Sequence, residues 1–365
     1  MYIGNTHLEC EIENLDIIKI KSYNKIYNVH YTNDTNDTLE KLLSSIIKNN
    51  DFIFVDKNIY NFHTNAFHNK QYYVFEAIEE HKTMDYVLQI VDKLIDIKFT
   101  KKNKLIVIGG GITQDVGGFA ATIFKRGIDW IFIPTTLLSM TDSAIGGKVC
   151  INRNSKNILS LFNAPSNVYI SDCFLQTLND DDIISGLGEA LKLSLIGGEH
   201  FYNDFIENYK KNNYLQMIKI SMCVKKIIIE YDELEKYERK VLNYGHTFGH
   251  ALESITNYFI PHGIAVLIGM YIINVLFYED KYENVNKFIL ELIPKKFLKK
   301  EIHFDSFIEH VLNDKKNDGD KICFILLEEF GNTKIVYHKL DEIICNEKLE
   351  KRLKNIVRNL FEKTI

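Results

Sequence analysis

Four side chains carry the clearest chemistry in this sequence: Glu189, His246, His250 and His262. His246 and His250 are four apart in a stretch of helical spacing, so both imidazoles leave one face of a helix. His262 follows Pro261 at the start of the next helical stretch, and Glu189 lies on another, beside Gly186 and Gly188, which permit close approach. A carboxylate with imidazoles is a donor set for zinc, and a catalytic metal keeps an open position for substrate. Spacing alone leaves open which three of the four ligate.

A second group suggests a nucleotide. Gly109, Gly110 and Gly111 directly follow the apolar run 105–108 (LIVI), and the segment 115–118 (DVGG) then opens a helix of small residues. Glycines there let a diphosphate reach the backbone, where the helix N-terminus offers positive potential. This is not the GxGxxG fingerprint, and a lone GGG also makes a tight strand-to-helix turn. Thr135 and Thr136, after the run 130–133 (WIFI), add two hydroxyls at the same sheet edge, and the two polar strand ends together favour a nucleotide crevice. A third group is cationic. Arg126, Lys148, Lys156, Lys192, Lys225, Arg239, Lys315 and Lys316 flank these motifs. Most lysines are solvated, but Lys148 ends AIGGK, Lys192 stands three residues after Glu189, and Lys225 falls in the apolar run 218–229. Lysines in such settings require anionic partners, which a phosphorylated and carboxylated substrate would supply.

The elements that must position these groups can be read from periodicity. Short runs at 52–55, 72–75, 105–108 and 130–133 are apolar, rich in β-branched or aromatic residues, and end in Asp, Gly or Pro, as buried strands do. Apolar residues at 84, 87, 88, 91, 94 and 95 predict a helix over 83–95 with Thr83 as N-cap. Alternation of this kind implies a parallel sheet covered by helices. After Pro165 the texture changes: 183–196, 214–230, 246–255 and 262–277 read as helices, and one hairpin is expected around Gly331-Asn332. The sequence therefore divides into an α/β domain over 1–170 and a mainly helical domain over 171–365, with the change near 165–178. The first 50 residues give the weakest signals.

With 365 residues, 46% of them hydrophobic, the chain can bury two moderate cores. A net charge of −5 gives no support for binding nucleic acid or an anionic membrane. Apolar runs stop well short of the roughly 18–20 residues a membrane span needs, and no secretory signal opens the sequence. Six scattered cysteines without a CxxC pair argue for a reducing cytoplasm.

As a set, the motifs GGGxxxDxxGF, KRG, PTTLL, DSxxGGK, GLxE with its lysine, LNxGHTFGHALE and HG resemble those of the 3-dehydroquinate synthases and the wider sugar-phosphate cyclase family. The similarity is strongest over 104–270 and recurs at Asp314, Lys315 and Lys316. It implies a Rossmann-like N-terminal domain that binds NAD, a helical C-terminal domain and a homodimer. It also implies metal ligands, for zinc or cobalt, at Glu189, His246 and His262, with His250 left to assist proton transfer near the phosphate. NAD contacts are implied for Asp56, Asn58, Glu79, Lys82, Gly109, Gly110, Gly111, Asp115, Thr135 and Thr136, with Asp142 and Lys148 at the junction with substrate. Substrate positions fall on Asp142, Lys148, Lys156, Asn157, Lys192, Lys225, Arg239, Asn243 and Lys316, and Arg126 resembles the arginine that reaches the partner subunit's phosphate site. The implied reaction oxidises an alcohol transiently, eliminates phosphate, returns the hydride and closes a carbocycle by an aldol step, with no net NADH. Arg239 and Asn243 match positions that serve a substrate carboxylate, which favours the heptulosonate phosphate.

The sequence departs from the family pattern in several places. Ile264 follows His262-Gly263 where a glutamate is usual, Gly146-Gly147-Lys148 continues into Val149-Cys150, and Ser155-Lys156-Asn157 lies one residue nearer Lys148. Asn163 stands where an aromatic residue is usual. Such changes leave room for a specialised paralogue, such as an amino-dehydroquinate synthase or another cyclitol synthase. A metal-dependent alcohol or glycerol dehydrogenase shares the GGG loop, but binds metal through Asp and three histidines. A non-catalytic NAD-binding protein would be expected to have lost ligands first.

Overall fold

The computed structural model describes residues 1–9, 16–32, 39–48, 50–312, 321–339 and 347–361. Two compact units emerge, one formed by Ile12–Leu178 and the other by Met1–Glu11 together with Asn179–Ile365. The division falls at 178/179, and the first eleven residues group with the helical part, whereas the sequence assigns them to an α/β domain over 1–170.

The helical unit opens with two short strands, β1 (Tyr2–Ile3) and β2 (Thr6–His7). The chain then enters the α/β unit with β3 (Ile17–Lys21), β4 (Ile26–Thr32), helix α1 (Leu39–Ile46) and β5 (Phe52–Asp56). It continues through α2 (Lys57–Phe62), β6 (Tyr72–Phe75), α3 (Met84–Asp96), β7 (Lys104–Gly109), α4 (Gly111–Ile123) and β8 (Asp129–Pro134). A hairpin of β9 (Lys148–Arg153) and β10 (Ser155–Phe162) precedes the last strand, β11 (Asn167–Ser171). The sheet order is β3-β4-β11-β8-β7-β5-β6, parallel except for the β3–β4 pair. Its central strands are buried on both faces, as their continuous apolar runs require.

This order fixes where a ligand can bind. From β5 the chain steps to β6 on one side and then to β7 on the other, so the winding reverses between β5 and β7. Open α/β sheets bind ligands beyond the carboxyl ends of the strands at such a reversal. Asp56 ends β5, and Gly109 ends β7 with Gly110 and Gly111 following. The four predicted strands and the helix over 84–96 are present. Thr83 occupies the N-cap position, but its side chain makes no cap bond, and Leu88 and Ile95 point outward while Ile90 is buried.

In the helical unit, α5 (Asp180–Gly197), α6 (Glu199–Lys210), α7 (Tyr214–Tyr231), α8 (His246–Ile255) and α9 (His262–Tyr278) form the bundle that carries the histidines. Helix α9 is buried along nearly its whole length, matching a sequence that is apolar all round. Its start packs tightly on α5. A Cβ on Gly263 would lie 1.8 Å from the Ser185 carbonyl oxygen, and the Gly263 N–H donates to Ser185 Oγ at 2.9 Å. Gly245, at φ +79°, turns the chain into α8 in the left-handed conformation that glycine tolerates. Beyond the bundle, β12 (Lys321–Glu329) and β13 (Asn332–Lys339) form the expected hairpin, turning at Phe330-Gly331 with Asn332 already in strand. This sheet has the order β12-β13-β1-β2, with β1 parallel to β13. No described helix is long and apolar enough to cross a membrane.

Candidate active site

Glu189 projects from the middle of α5 and is fully buried. Around it lie two imidazoles: His246 Nε2 is 3.6 Å and His262 Nε2 3.4 Å from Glu189 Oε1. Zinc bonds of about 2.0–2.1 Å at a tetrahedral centre put neighbouring ligand atoms about 3.4 Å apart, so the two separations match a pair of donors sharing one ion. The far nitrogens are also held. His246 Nδ1 lies 3.2 Å from the Tyr244 carbonyl oxygen, and His262 Nδ1 2.9 Å from Glu253 Oε2. A carbonyl can only accept, so His246 directs an Nδ1–H to it, and the neutral ring then has Nε2 as its metal-donor atom. Burial lowers the His262 pKa, but the carboxylates of Glu253 and Glu189 outweigh it and lift it to about 9. Among the described residues, two groups have donor atoms that could hold one ion, Glu189 with His246 and His262, and His250 with Glu253 and His262. The first, gathered around the fully buried Glu189, suits a divalent metal.

His250 stands beside this group rather than in it. Its ring centroid is 5.2 Å from that of His246 and 5.8 Å from that of His262. Lys192, one turn after Glu189 and 1% exposed, forms an ion pair with Glu189 Oε2. Lys225 is buried on α7, which packs against α5. Arg239, also buried, donates from Nη1 to the Glu233 carbonyl and from its backbone N–H to Asp232 Oδ2 at 3.2 Å. Asn243 Nδ2 donates to Glu235 Oε1 at 3.1 Å. Lys316, with Asp314 and Lys315, lies outside the described residues.

In the α/β unit, Asp56 and the Gly109-Gly110-Gly111 loop lie at the strand ends that flank the sheet reversal. Asp56 Oδ1 caps α2, accepting from the N–H groups of Asn58 at 2.7 Å and Ile59 at 3.4 Å. Burial raises its pKa against the pull of those two bonds. Gly110 is the N-cap of α4 and has no side chain to satisfy the first-turn amides, which suits an anion there. A Cβ on Gly110 would lie 2.9 Å from Thr136 Cγ2, so glycine is needed for close packing. The Thr135 N–H donates to the Gly109 carbonyl at 3.0 Å, and the Thr136 hydroxyl donates to Ser139 Oγ at 2.9 Å. Asp142 lies in the short π-helical turn Ser139–Ser143, tied to α4 by the Gln114 amide.

Lys82, Asp115 and Asn157 converge where the sequence could not show it. Lys82 Nζ is 2.5 Å from Asp115 Oδ2 and 2.6 Å from Asn157 Oδ1, and Asp115 Oδ1 accepts from the Cys150 N–H at 2.9 Å. Glu79 Oε1 accepts from Asn152 Nδ2 at 2.8 Å. Burial works against the Lys82 charge, but Asp115, with Glu79, holds its pKa above the usual lysine value. The β9–β10 hairpin bearing Lys148, Lys156 and Asn157 is thus anchored to Lys82, Asp115 and Glu79. The Gly146-Gly147 turn before it is held by Tyr27, whose hydroxyl accepts the Gly146 N–H at 3.1 Å. Asn163 also holds it, donating from its backbone to the Gly147 carbonyl at 2.7 Å and from Nδ2 to Thr122 Oγ1 at 2.9 Å.

Arg126 is exposed on an unusual corner. Lys125, Arg126 and Gly127 have φ of +49°, +64° and +98°, and Lys125 Nζ is tied to the Phe99 carbonyl. Consecutive left-handed non-glycine residues are strained by about 1–3 kcal/mol each and persist only where neighbours impose them.

The sequence does not single out Glu253 or Tyr27, and it marks Asn163 only as a departure from the family pattern. For Glu253 a signal was available, since positions 246, 250 and 253 share one helix face. Tyr27 and Asn163 act across the fold and carry no local signal.

Residues 72–185 match the family model described as 3-dehydroquinate synthase N-terminal, and residues 186–317 the one described as 3-dehydroquinate synthase C-terminal. The 3-dehydroquinate synthase of Thermoanaerobacter sp. (strain X514) is 32% identical over 355 residues, covering 90% of this chain and 99% of the relative. In fold, the chain is similar to 2-deoxy-scyllo-inosose synthase, solved with carbaglucose-6-phosphate, NAD+ and Co2+. That match has a TM-score of 0.77 at 22% identity and covers 94% of this chain and 99% of that one. It is equally similar to 2-epi-5-epi-valiolone synthase from Streptomyces hygroscopicus subsp. jinggangensis 5008, solved with NAD+ and Zn2+. Here the TM-score is 0.78 at 20% identity, with 91% and 97% of the two chains covered. With matches that run through both units and a relative aligned over almost its full length, the chain belongs to the 3-dehydroquinate synthase family.

Proposed function

We propose that this chain is a 3-dehydroquinate synthase that converts 3-deoxy-D-arabino-heptulosonate 7-phosphate to 3-dehydroquinate and phosphate. The observation that carries the reading is a buried ammonium beside the metal donors: Lys192 pairs with Glu189 where His246 and His262 converge. A neutral alcohol has no use for that charge, whereas a phosphorylated, carboxylated sugar does. When bound, NAD supplies reversible oxidation of the substrate's secondary alcohol, and a divalent metal, zinc or cobalt, supplies polarisation of its oxygen.

The chain's own residues bind and orient. Glu189, His246 and His262 hold the metal. Asp56, Asn58, Glu79, Lys82, Asp115, Thr135 and Thr136 hold NAD with the Gly109-Gly110-Gly111 loop. Lys148, Lys156, Lys192, Lys225 and Lys316, with Asp142 and Asn157, take the phosphate and hydroxyl oxygens, while Arg239 and Asn243 take the carboxylate. His250 moves the proton released from the carbon between the ketone and the phosphate-bearing carbon, a role its position beside the metal histidines supports. Arg126 serves the phosphate site of a second copy in a homodimer, supported by its exposure on a strained corner. Cys150, Cys173, Cys223 and Cys323 carry free thiols, which supports a cytoplasmic setting.

The test is phosphate release from that substrate with NAD and zinc or cobalt, with the product identified. Phosphate and 3-dehydroquinate without net NADH is the expected result. Turnover only of a carboxylate-free heptulose phosphate would point to a cyclitol synthase, and net NADH from a simple alcohol would overturn the reading.

A further inference from the structure

Glu253 is a carboxylate 3% exposed, near the end of α8, without a role so far. Its Oε2 lies 2.9 Å from His262 Nδ1, and it shares a helix face with His246 and His250. We propose that Glu253 is the positioning residue of the metal site, holding the Nδ1–H of His262 so that Nε2 faces Glu189 Oε1. This inference rests on the metal reading above.

Three observations carry it. First, the two candidate histidine ligands are both held from behind, and by different groups. His246 is fixed by the backbone carbonyl of Tyr244, a contact set by the turn into α8, whereas His262 depends on a side chain from another helix. Without an acceptor at Nδ1, the His262 ring could rotate or carry its proton on Nε2, and either change removes the lone pair facing Glu189. Second, the charges balance. Glu189 and Glu253 together neutralise a dication, and Lys192 then remains to meet an anionic substrate. Third, the position after Gly263 is the fully buried Ile264, which offers no carboxylate, and the one at His262 Nδ1 comes from Glu253. Carboxylates placed behind ligating histidines fix ring orientation and raise ligand basicity, and their removal weakens metal affinity by about 10–100-fold.

The experiment titrates the full-length, metal-free protein with Co2+ against a competing chelator, following the visible cobalt bands, and repeats it with Zn2+. Glu253→Gln keeps the shape but removes the charge, and should bind both metals about 10–100-fold more weakly with altered cobalt bands. Glu253→Asp, which keeps the charge, should fall between Gln and wild type. If Glu253→Gln bound cobalt with wild-type affinity and spectrum, the inference would fail, whatever happened to its melting temperature. Should Glu253→Gln not fold, the same titration of Glu253→Asp decides, because unchanged affinity and spectrum there would equally sink it. Wild-type protein that bound neither metal would instead remove the metal reading itself.

Discussion

A buried carboxylate such as Glu189 is unfavourable unless positive charge meets it, and here Lys192 does. Replacing it with Gln should abolish turnover by weakening metal binding, seen directly as metal content after gel filtration. Arg239→Ala should lower kcat/KM chiefly for substrates that carry the carboxylate, and unchanged activity on the heptulosonate phosphate would remove the specificity argument. Lys82→Met should destabilise the protein by about 3–5 kcal/mol, because it leaves the Asp115 carboxylate buried beside no ammonium. In denaturant unfolding, adding Asp115→Asn to that variant should recover part of the loss. Residue type and spacing marked Glu189, His246, His250 and His262 as candidate donors, and the family resemblance narrowed them to Glu189, His246 and His262, whose donor atoms lie together. Glu253 shares the helix face of His246 and His250, but that signal alone is weak, because a glutamate on a helix face is ordinarily solvated and its partner lies nine residues on, beyond a helix break. The Lys82–Asn157 bond was invisible, since it spans 75 residues.

Helices and strands report their own limits. The buried strands β5, β7 and β8 announce themselves as continuous apolar runs, and α8 and α9 start where their histidines do. Strands β3 and β4 alternate buried and exposed positions, so a search for solid apolar runs passes over them. Strand β10 is largely exposed and offers almost no hydrophobic pattern, yet its hairpin carries Lys156 and Asn157. Short β11, just after Pro165, is hidden among turn residues. At this scale two glycines make a contrast. Gly263→Ala sets a methyl group 1.8 Å from the Ser185 carbonyl, so α9 must move off α5, and both melting temperature and metal content should fall. The nearest atom to a Cβ on Gly111 is Ser143 Oγ at 3.9 Å, so Gly111→Ala should keep its melting temperature while binding NAD more weakly by fluorescence titration.

The whole chain offers two coarser tests. Zinc or cobalt at 100 times its Kd should stabilise the protein by about 2.7 kcal/mol, read as a rise in Tm that a chelator reverses. Mixing Arg126→Ala with Glu189→Gln, each inactive alone, should restore up to about a quarter of wild-type activity after subunit exchange, since a mixed dimer holds one intact site of two. No recovery would refute the trans role of Arg126. The sequence changes texture near 165–178 and the structure divides at 178/179, but nothing local in the opening residues reveals that they group with the helices. Tyr2 and Ile3 pair in parallel with Asn332 and Thr333. That pairing imposes an order on folding during synthesis. At about 5–20 residues per second, the first strand leaves the ribosome well before its partner exists. Every residue of 12–178 emerges in the interval, so the α/β unit can fold while the two ends of the helical unit wait for each other.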